Sequence, residues 1–300
     1  MGYTSSMTYS QLIKLATWAS VVVAVSLIGV KTWAWDQTQS VSLLASLIDS
    51  IMDSAASLIN FFAVRYAMAP ADEEHRFGHG KAEALAGLAQ ALLILASIGL
   101  LLSQTVGRLW HPEVIQNTPI GIGVMIASMA LTGALVVLQR SVVKRTQSSA
   151  IEADSLHYTS DLLMNFGVIV ALVLASYGYY GADPYLALGI GAYVVYSAWG
   201  IAQTAFHLLL DHELSDEQRQ VITQLALTQP LVIGLHDLRS RQSGHMQFIQ
   251  LHLELQDDML LLAAHDVAEA LEARIVEAFP HADVIIHLDP VSVSDEQTHD

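Results

Sequence analysis

Three hundred residues, 53% hydrophobic and only 14% charged, with a mean hydropathy of +0.44, exclude an ordinary soluble domain, in which about a quarter of residues are charged. The lack of cysteine rules out disulfides, thiolate metal sites and cysteine nucleophiles. A net charge of −16 argues against nucleic acid as a partner, which requires clustered Lys and Arg.

The charge is unevenly placed. Residues 1–211 carry 9 Lys and Arg against 13 Asp and Glu, a net of −4, whereas residues 212–300 carry 4 against 16, a net of −12, together with 8 of the 13 histidines. This predicts an apolar domain over 1–211, a small acidic, His-rich domain over 212–290 and a tail over 291–300.

A helix needs about 20 mostly apolar residues to cross a bilayer. Six segments qualify in chain order. The first lies between Lys14 and Lys31, whose stems can reach the interface, and lacks the cleavage signature of a secretory signal. The second, about Gln37–Val64, carries Asp49 and Asp53. Ala84–Gly107, Thr118–Leu138, Leu162–Ala182 and Pro184–Leu210 follow. An even count puts both termini on one side. The loops of that side hold Arg65, Arg76, Lys81, Arg140, Lys144 and Arg145, and Lys14 precedes the first span, while Lys31 and Arg108 flank the other side. The positive-inside rule then places both termini in the cytoplasm.

Asp49 and Asp53 are four residues apart and share a helical face. His157 and Asp161 repeat that spacing next to the fifth apolar run. Ionisable groups at membrane depth are costly and usually face a functional cavity. One imidazole nitrogen and three carboxylate oxygens suit Zn²⁺ in tetrahedral geometry, whereas Mg²⁺ and Ca²⁺ want six or more oxygens. With no lysine or arginine expected nearby, these groups call for an outside cation, a metal or protons. The plainer reading is a set of helix-end charges reaching the interface.

In the loop Pro70–Lys81, Asp72, His75 and His79 could converge on a metal, with Gly78 and Gly80 supplying bends; a solvated loop is an equal reading. In the acidic domain, Ser215 caps a helix to about Leu227, and a first strand holds His236. Met246–Leu255 alternates, with Ile249, Leu251, Leu253 and Leu255 on one face and His252 and Glu254 on the other. Helix Leu260–Phe279 precedes a strand, Asp283–Asp289, that places His287 and Asp289 opposite Val284, Ile286 and Leu288. Two helices on one sheet face would leave His252, His287 and Asp289 open, with His236 and His265 able to join them as metal ligands. Bound cations there would offset the repulsion between two acidic copies, so metal could govern dimer association.

The paired Asp-x-x-x-Asp and His-x-x-x-Asp on spans two and five, the stretch Phe77-Gly78-His79-Gly80-Lys81-Ala82-Glu83 and the αββαβ order of the acidic domain resemble the cation diffusion facilitator family over about residues 12–290. The resemblance implies a polytopic α-helical membrane protein of six transmembrane helices with a metallochaperone-like α+β domain. It implies a homodimeric transporter of the bacterial inner membrane, not an enzyme, that exchanges Zn²⁺ (also Cd²⁺, in some members Fe²⁺ or Mn²⁺) for protons. By the same resemblance Asp49, Asp53, His157 and Asp161 form the transport site, and Asp72, His75 and His79 a loop site. His236, His252, His265, His287 and Asp289 form a binuclear cytoplasmic site. Lys81 and Asp211 match an inter-subunit charge pair, and Leu156 a hydrophobic gate. The rival readings are an intramembrane metallohydrolase, disfavoured because four protein ligands leave no position for water, and a channel or membrane metal sensor without proton coupling.

Overall fold

The computed structural model describes residues 8–38, 41–110, 119–177 and 182–293. They form two compact units, Met1–Phe206 and His207–Asp300. The first is built from six long helices: α1 (Tyr9–Thr38), α2 (Val41–Ala67), α3 (Lys81–Trp110), α4 (Pro119–Thr146), α5 (Ser149–Ser176) and α6 (Ala182–Leu209). At about 1.5 Å per residue, each exceeds the bilayer's hydrocarbon thickness. Described stretches of α1, α2, α3, α4 and α6 are also apolar enough to cross a membrane. Val22, Val25, Ile59, Phe62 and Val137 stand outward and exposed, as lipid-facing residues do.

Helix α5 carries Glu152, Asp154 and Asp161. It packs against α3 and α4, with further contacts to α1 and α2. It begins well before the apolar run at Leu162, and the reason is a buried polar network. Asp154, 1% exposed, accepts hydrogen bonds from Ser20 Oγ and Gln139 Nε2, both at 2.7 Å, and from Ser57 Oγ at 3.4 Å. Ser57 in turn lies 2.9 Å from the Tyr158 hydroxyl. One carboxylate thus ties α1, α2, α4 and α5 together. Asp154→Ala would strand two buried donors at about 1–3 kcal/mol each, so thermal unfolding in detergent should show a loss of at least about 2 kcal/mol, and Asp154→Asn a smaller one.

The second unit runs α7 (Asp216–Leu227), β1 (Gly234–Ser243), β2 (Met246–Leu255), α8 (Leu261–Ala278) and β3 (Ala282–Pro290). Ser215 and Gln218 form a reciprocal capping box at the start of α7. β1 and β2 pair antiparallel through a two-residue turn in which Gly244 takes a left-handed φ of 59°, the conformation that tight hairpins require. β3 returns through α8 to lie parallel to β2, giving the order β1-β2-β3. The helices cover one sheet face: Ile249, Leu251, Leu253 and Leu255 pack with Ile222, Val267, Leu271 and Ile275. The opposite face carries the polar set.

At the hairpin end His245 and His281 rings lie 5.2 Å apart. Partial burial, with the neighbouring His281, lowers the His245 pKa below its ordinary 6.5. The folded domain therefore resists a proton that the unfolded chain accepts, so its stability is intact above pH 6.5 and falls as pH drops through 6.5 towards the lowered value. His245→Gln should flatten that acid-side loss, read as the pH dependence of this unit's calorimetric transition in the full chain.

Candidate metal centres

Three clusters of ligand-type side chains converge among the described residues: Asp53, His157 and Asp161; Asp72, His75 and His79; and His236, His252 and Asp289. In the membrane unit, the 3.6-residue repeat of α2 aligns Ser46, Asp49, Ser50 and Asp53 along one face. Across a cavity of about 440 Å³, α5 presents His157 and Asp161. His157 Nε2 is 3.2 Å from Asp53 Oδ1 and 3.9 Å from Asp161 Oδ2. It is buried and makes no hydrogen bond, so a nitrogen donor faces two carboxylates with its directional bonding unmet. That is a fit for a cation ligand set. Asp49 lines the same cavity one turn from Asp53 but stands outside the converging three.

The expectation that no lysine or arginine lies near these acids does not hold. Lys31, read as an interfacial anchor, lines the cavity instead. Its Nζ donates to Ser46 O at 3.1 Å and to Ser50 Oγ at 2.6 Å. Leu156, beside His157, is buried in an apolar cluster with Ala91, Ile94 and Ile98 of α3 and Val194, Ala198 and Ile201 of α6.

In the α2–α3 loop, Asp72 Oδ1 accepts from the backbone N–H of His75 at 2.6 Å and of Glu74 at 3.0 Å. These bonds, that of His75 foremost, hold the exposed carboxyl below its ordinary range. His75 Nδ1 lies 3.3 Å from Asp72 Oδ1, and His79 Nε2 lies 3.2 Å from Oδ2. His79 is buried and stacks edge-on against Tyr66, with ring centroids 4.5 Å apart. Of the two glycines expected to bend the loop, Gly78 does so at φ 78°, while Gly80 has no positive φ.

In the second unit, strand register places His236 opposite His252, and His252 beside His287, so one imidazole stands on each of three adjacent strands. Asp289 is the carboxylate that all three approach. Its Oδ2 is 2.7 Å from His252 Nδ1 and 3.4 Å from His236 Nε2, and its Oδ1 is 3.2 Å from His287 Nε2. His236 Nε2 is buried and makes no hydrogen bond, again a donor atom facing a carboxylate. His265 lies exposed on α8 and does not join this group within the chain.

Two further residues join this face that the sequence does not mark as site residues. Glu254 Oε1 lies 2.8 Å from His236 Nδ1, the kind of outer partner that fixes a ligating imidazole's orientation. A β-carbon at Gly234 would collide with the Glu254 carboxylate. Asp237 sits in a bulge of β1 at φ 46° and brings Oδ2 within 3.8 Å of His252 Nε2. Strand alternation puts Glu254 on the correct face; the bulge at Asp237 has no local signal. Asp211 accepts from Arg241 Nη1 at 3.3 Å, and Lys81 opens α3.

Comparison with known proteins agrees with this architecture. Residues 17–210 match the cation efflux transmembrane domain, and residues 214–291 match the cation efflux protein cytoplasmic domain. The chain is 48% identical over 291 residues to the cation-efflux pump FieF of Yersinia enterocolitica serotype O:8 / biotype 1B, covering 97% of each. It is 49% identical over 291 residues to FieF of Yersinia pestis (strain Pestoides F), again covering 97% of each. A solved chain of CzrB in its Zn form aligns at 27% identity over 27% of this chain and 94% of its own, with a TM-score of 0.26, too low to bear on the fold. The two domain matches and the full-length identity establish that the chain is a multi-pass membrane protein of the cation efflux family.

Proposed function

We propose that this protein exports divalent metal ions, Zn²⁺ first among Zn²⁺, Cd²⁺, Fe²⁺ and Mn²⁺, in exchange for protons. It does so as a homodimer in the bacterial inner membrane, with both termini cytoplasmic. The observation that carries the reading is the convergence of Asp53, His157 and Asp161 on one membrane cavity, with His157 Nε2 buried and unbonded.

Metal ligands must be deprotonated, so metal and H⁺ compete for the same atoms. Imidazole, with a reference pKa of about 6.5, is suited to carry that proton. Asp49, one turn along α2, supplies the third carboxylate. Alternating access exposes the set first to the cytoplasm, where metal displaces protons, and then to the outside, where higher proton activity returns them. Leu156 gates the path from its apolar cluster. Asp72, His75 and His79 hold a loop ion. His236, His252 and His287, with Asp289 as the shared carboxylate, hold regulatory Zn²⁺; there the ions would supply positive charge between two acidic copies. Lys81 and Asp211 would form the charge pair between copies. No hydrolytic role is assigned, since these ligands serve binding and release without a separate nucleophile.

The test is uptake of Zn²⁺, Cd²⁺, Fe²⁺ and Mn²⁺ into proteoliposomes, with and without an imposed pH gradient. Zinc flux that follows the gradient is expected. Binding without flux of any metal would favour a sensor, and flux indifferent to pH a channel.

A further inference from the structure

Among the described residues, Lys31 is the one charged group on the cavity wall that neither the ligand set nor the gate uses. Its position is defined from two sides. The ammonium donates to Ser46 O and to the buried Ser50 Oγ, and these two residues flank Asp49 on α2. An ammonium has three donors, and two are taken by α2, which leaves one for the cavity that Lys31 shares with Asp49, Asp53, His157 and Asp161. Lys31 lies near the end of α1 and Ser46 near the start of α2, so the cation sits on the α1–α2 connection side of the ligands.

The charge balance follows directly. Three ionised carboxylates and one ammonium sum to −2, which a single divalent ion neutralises; without the ammonium, the loaded site would keep a charge of −1. Buried like and unlike charges interact strongly at these depths. A fixed cation beside the site weakens the hold on a second cation. Transport needs that, because an ion that cannot leave cannot turn over.

We propose that Lys31 is an affinity-setting residue, a tethered counter-cation that lowers the site's affinity for the divalent ion and speeds its release. The inference rests on the transport-site reading given above. Because the ammonium acts through charge and not by ligation, its removal should tighten binding, the reverse of what removing a ligand does.

The test uses the full-length chain, with Zn²⁺ binding by calorimetry in detergent and Zn²⁺ flux kinetics in proteoliposomes. Lys31→Gln keeps N–H donors for Ser46 and Ser50 and removes the charge; Lys31→Met is a second neutral variant should the first fail to fold. The neutral variant should bind Zn²⁺ at least about tenfold more tightly than the parent, with KM and kcat both lowered. Lys31→Arg should move affinity and turnover back towards the parent. Unchanged affinity, or weaker binding that Arg does not restore, would overturn the inference and leave Lys31 as a helix anchor. Asp53→Ala provides the separate control: if its isotherm equals the parent's, the transport-site reading itself fails.

Discussion

Asp53→Ala should reduce metal flux to below about one hundredth of the parent's while leaving the fold intact. The two halves of that expectation have separate causes. Outer-shell residues of metal sites already cost about 10–100-fold when removed, and Asp53 stands closer, its Oδ1 being 3.2 Å from His157 Nε2. Stability should hardly change, because Asp53 and Asp161 face the cavity with side chains 31% and 41% exposed. Among the described residues His157 is their one ion-pair partner, so a change within about 0.5 kcal/mol is expected. Asp161→Ala should behave alike. Asp154→Ala, only seven residues earlier, should do the opposite, weakening the bundle through its stranded donors. Flux measured beside thermal unfolding separates the two. An Asp53→Ala chain that still moves zinc at the parent's rate would remove this cluster from the path.

Asp289→Ala should abolish metal-dependent stabilisation of the second unit. Both Asp289 oxygens are engaged, with imidazoles from all three strands within 3.4 Å, so among the described residues no other side chain links the three. A ligand present at about 100 times its Kd stabilises the folded state by about 2.7 kcal/mol. The parent's second transition should rise by that amount between chelator and saturating Zn²⁺, and the variant's should not move. A variant that keeps the zinc-induced rise would place the ions elsewhere.

How much of the fold and site is legible in the sequence follows how local each determinant is. The two-residue repeat of β2 and β3 fixes which face each side chain takes, so alternation alone puts His252, His287 and Asp289 on the polar face. The Ser215 cap is equally local. The i, i+4 pairs on α2 and α5 are legible for the same reason. Pairing across strands is not: His236 meets His252 only through the β1 register, and the bulge at Asp237 that shifts that register carries no sequence mark. Glu254 takes the right face but gives no sign of its partner. The start of α5 is hidden because Asp154 looks solvated until Ser20, Ser57 and Gln139 arrive from three other helices. Lys31 misleads for the same reason. At the end of an apolar run, a lysine reads as an interfacial anchor, and only the packing of α1 on α2 turns it onto Ser46 and Ser50. His265 shows the converse, since a histidine near the start of α8 has the right chemistry yet stays outside the cluster.

In the proposed function, metal exchanges for protons through the Asp53, His157 and Asp161 cluster. The most direct test of this exchange follows zinc and luminal pH together in proteoliposomes of the parent chain after Zn²⁺ is added outside. Luminal zinc is expected to rise as protons leave, in a fixed ratio, and reversing the pH gradient should reverse both. Zinc entry with no movement of protons, whatever gradient is imposed, would contradict the exchange.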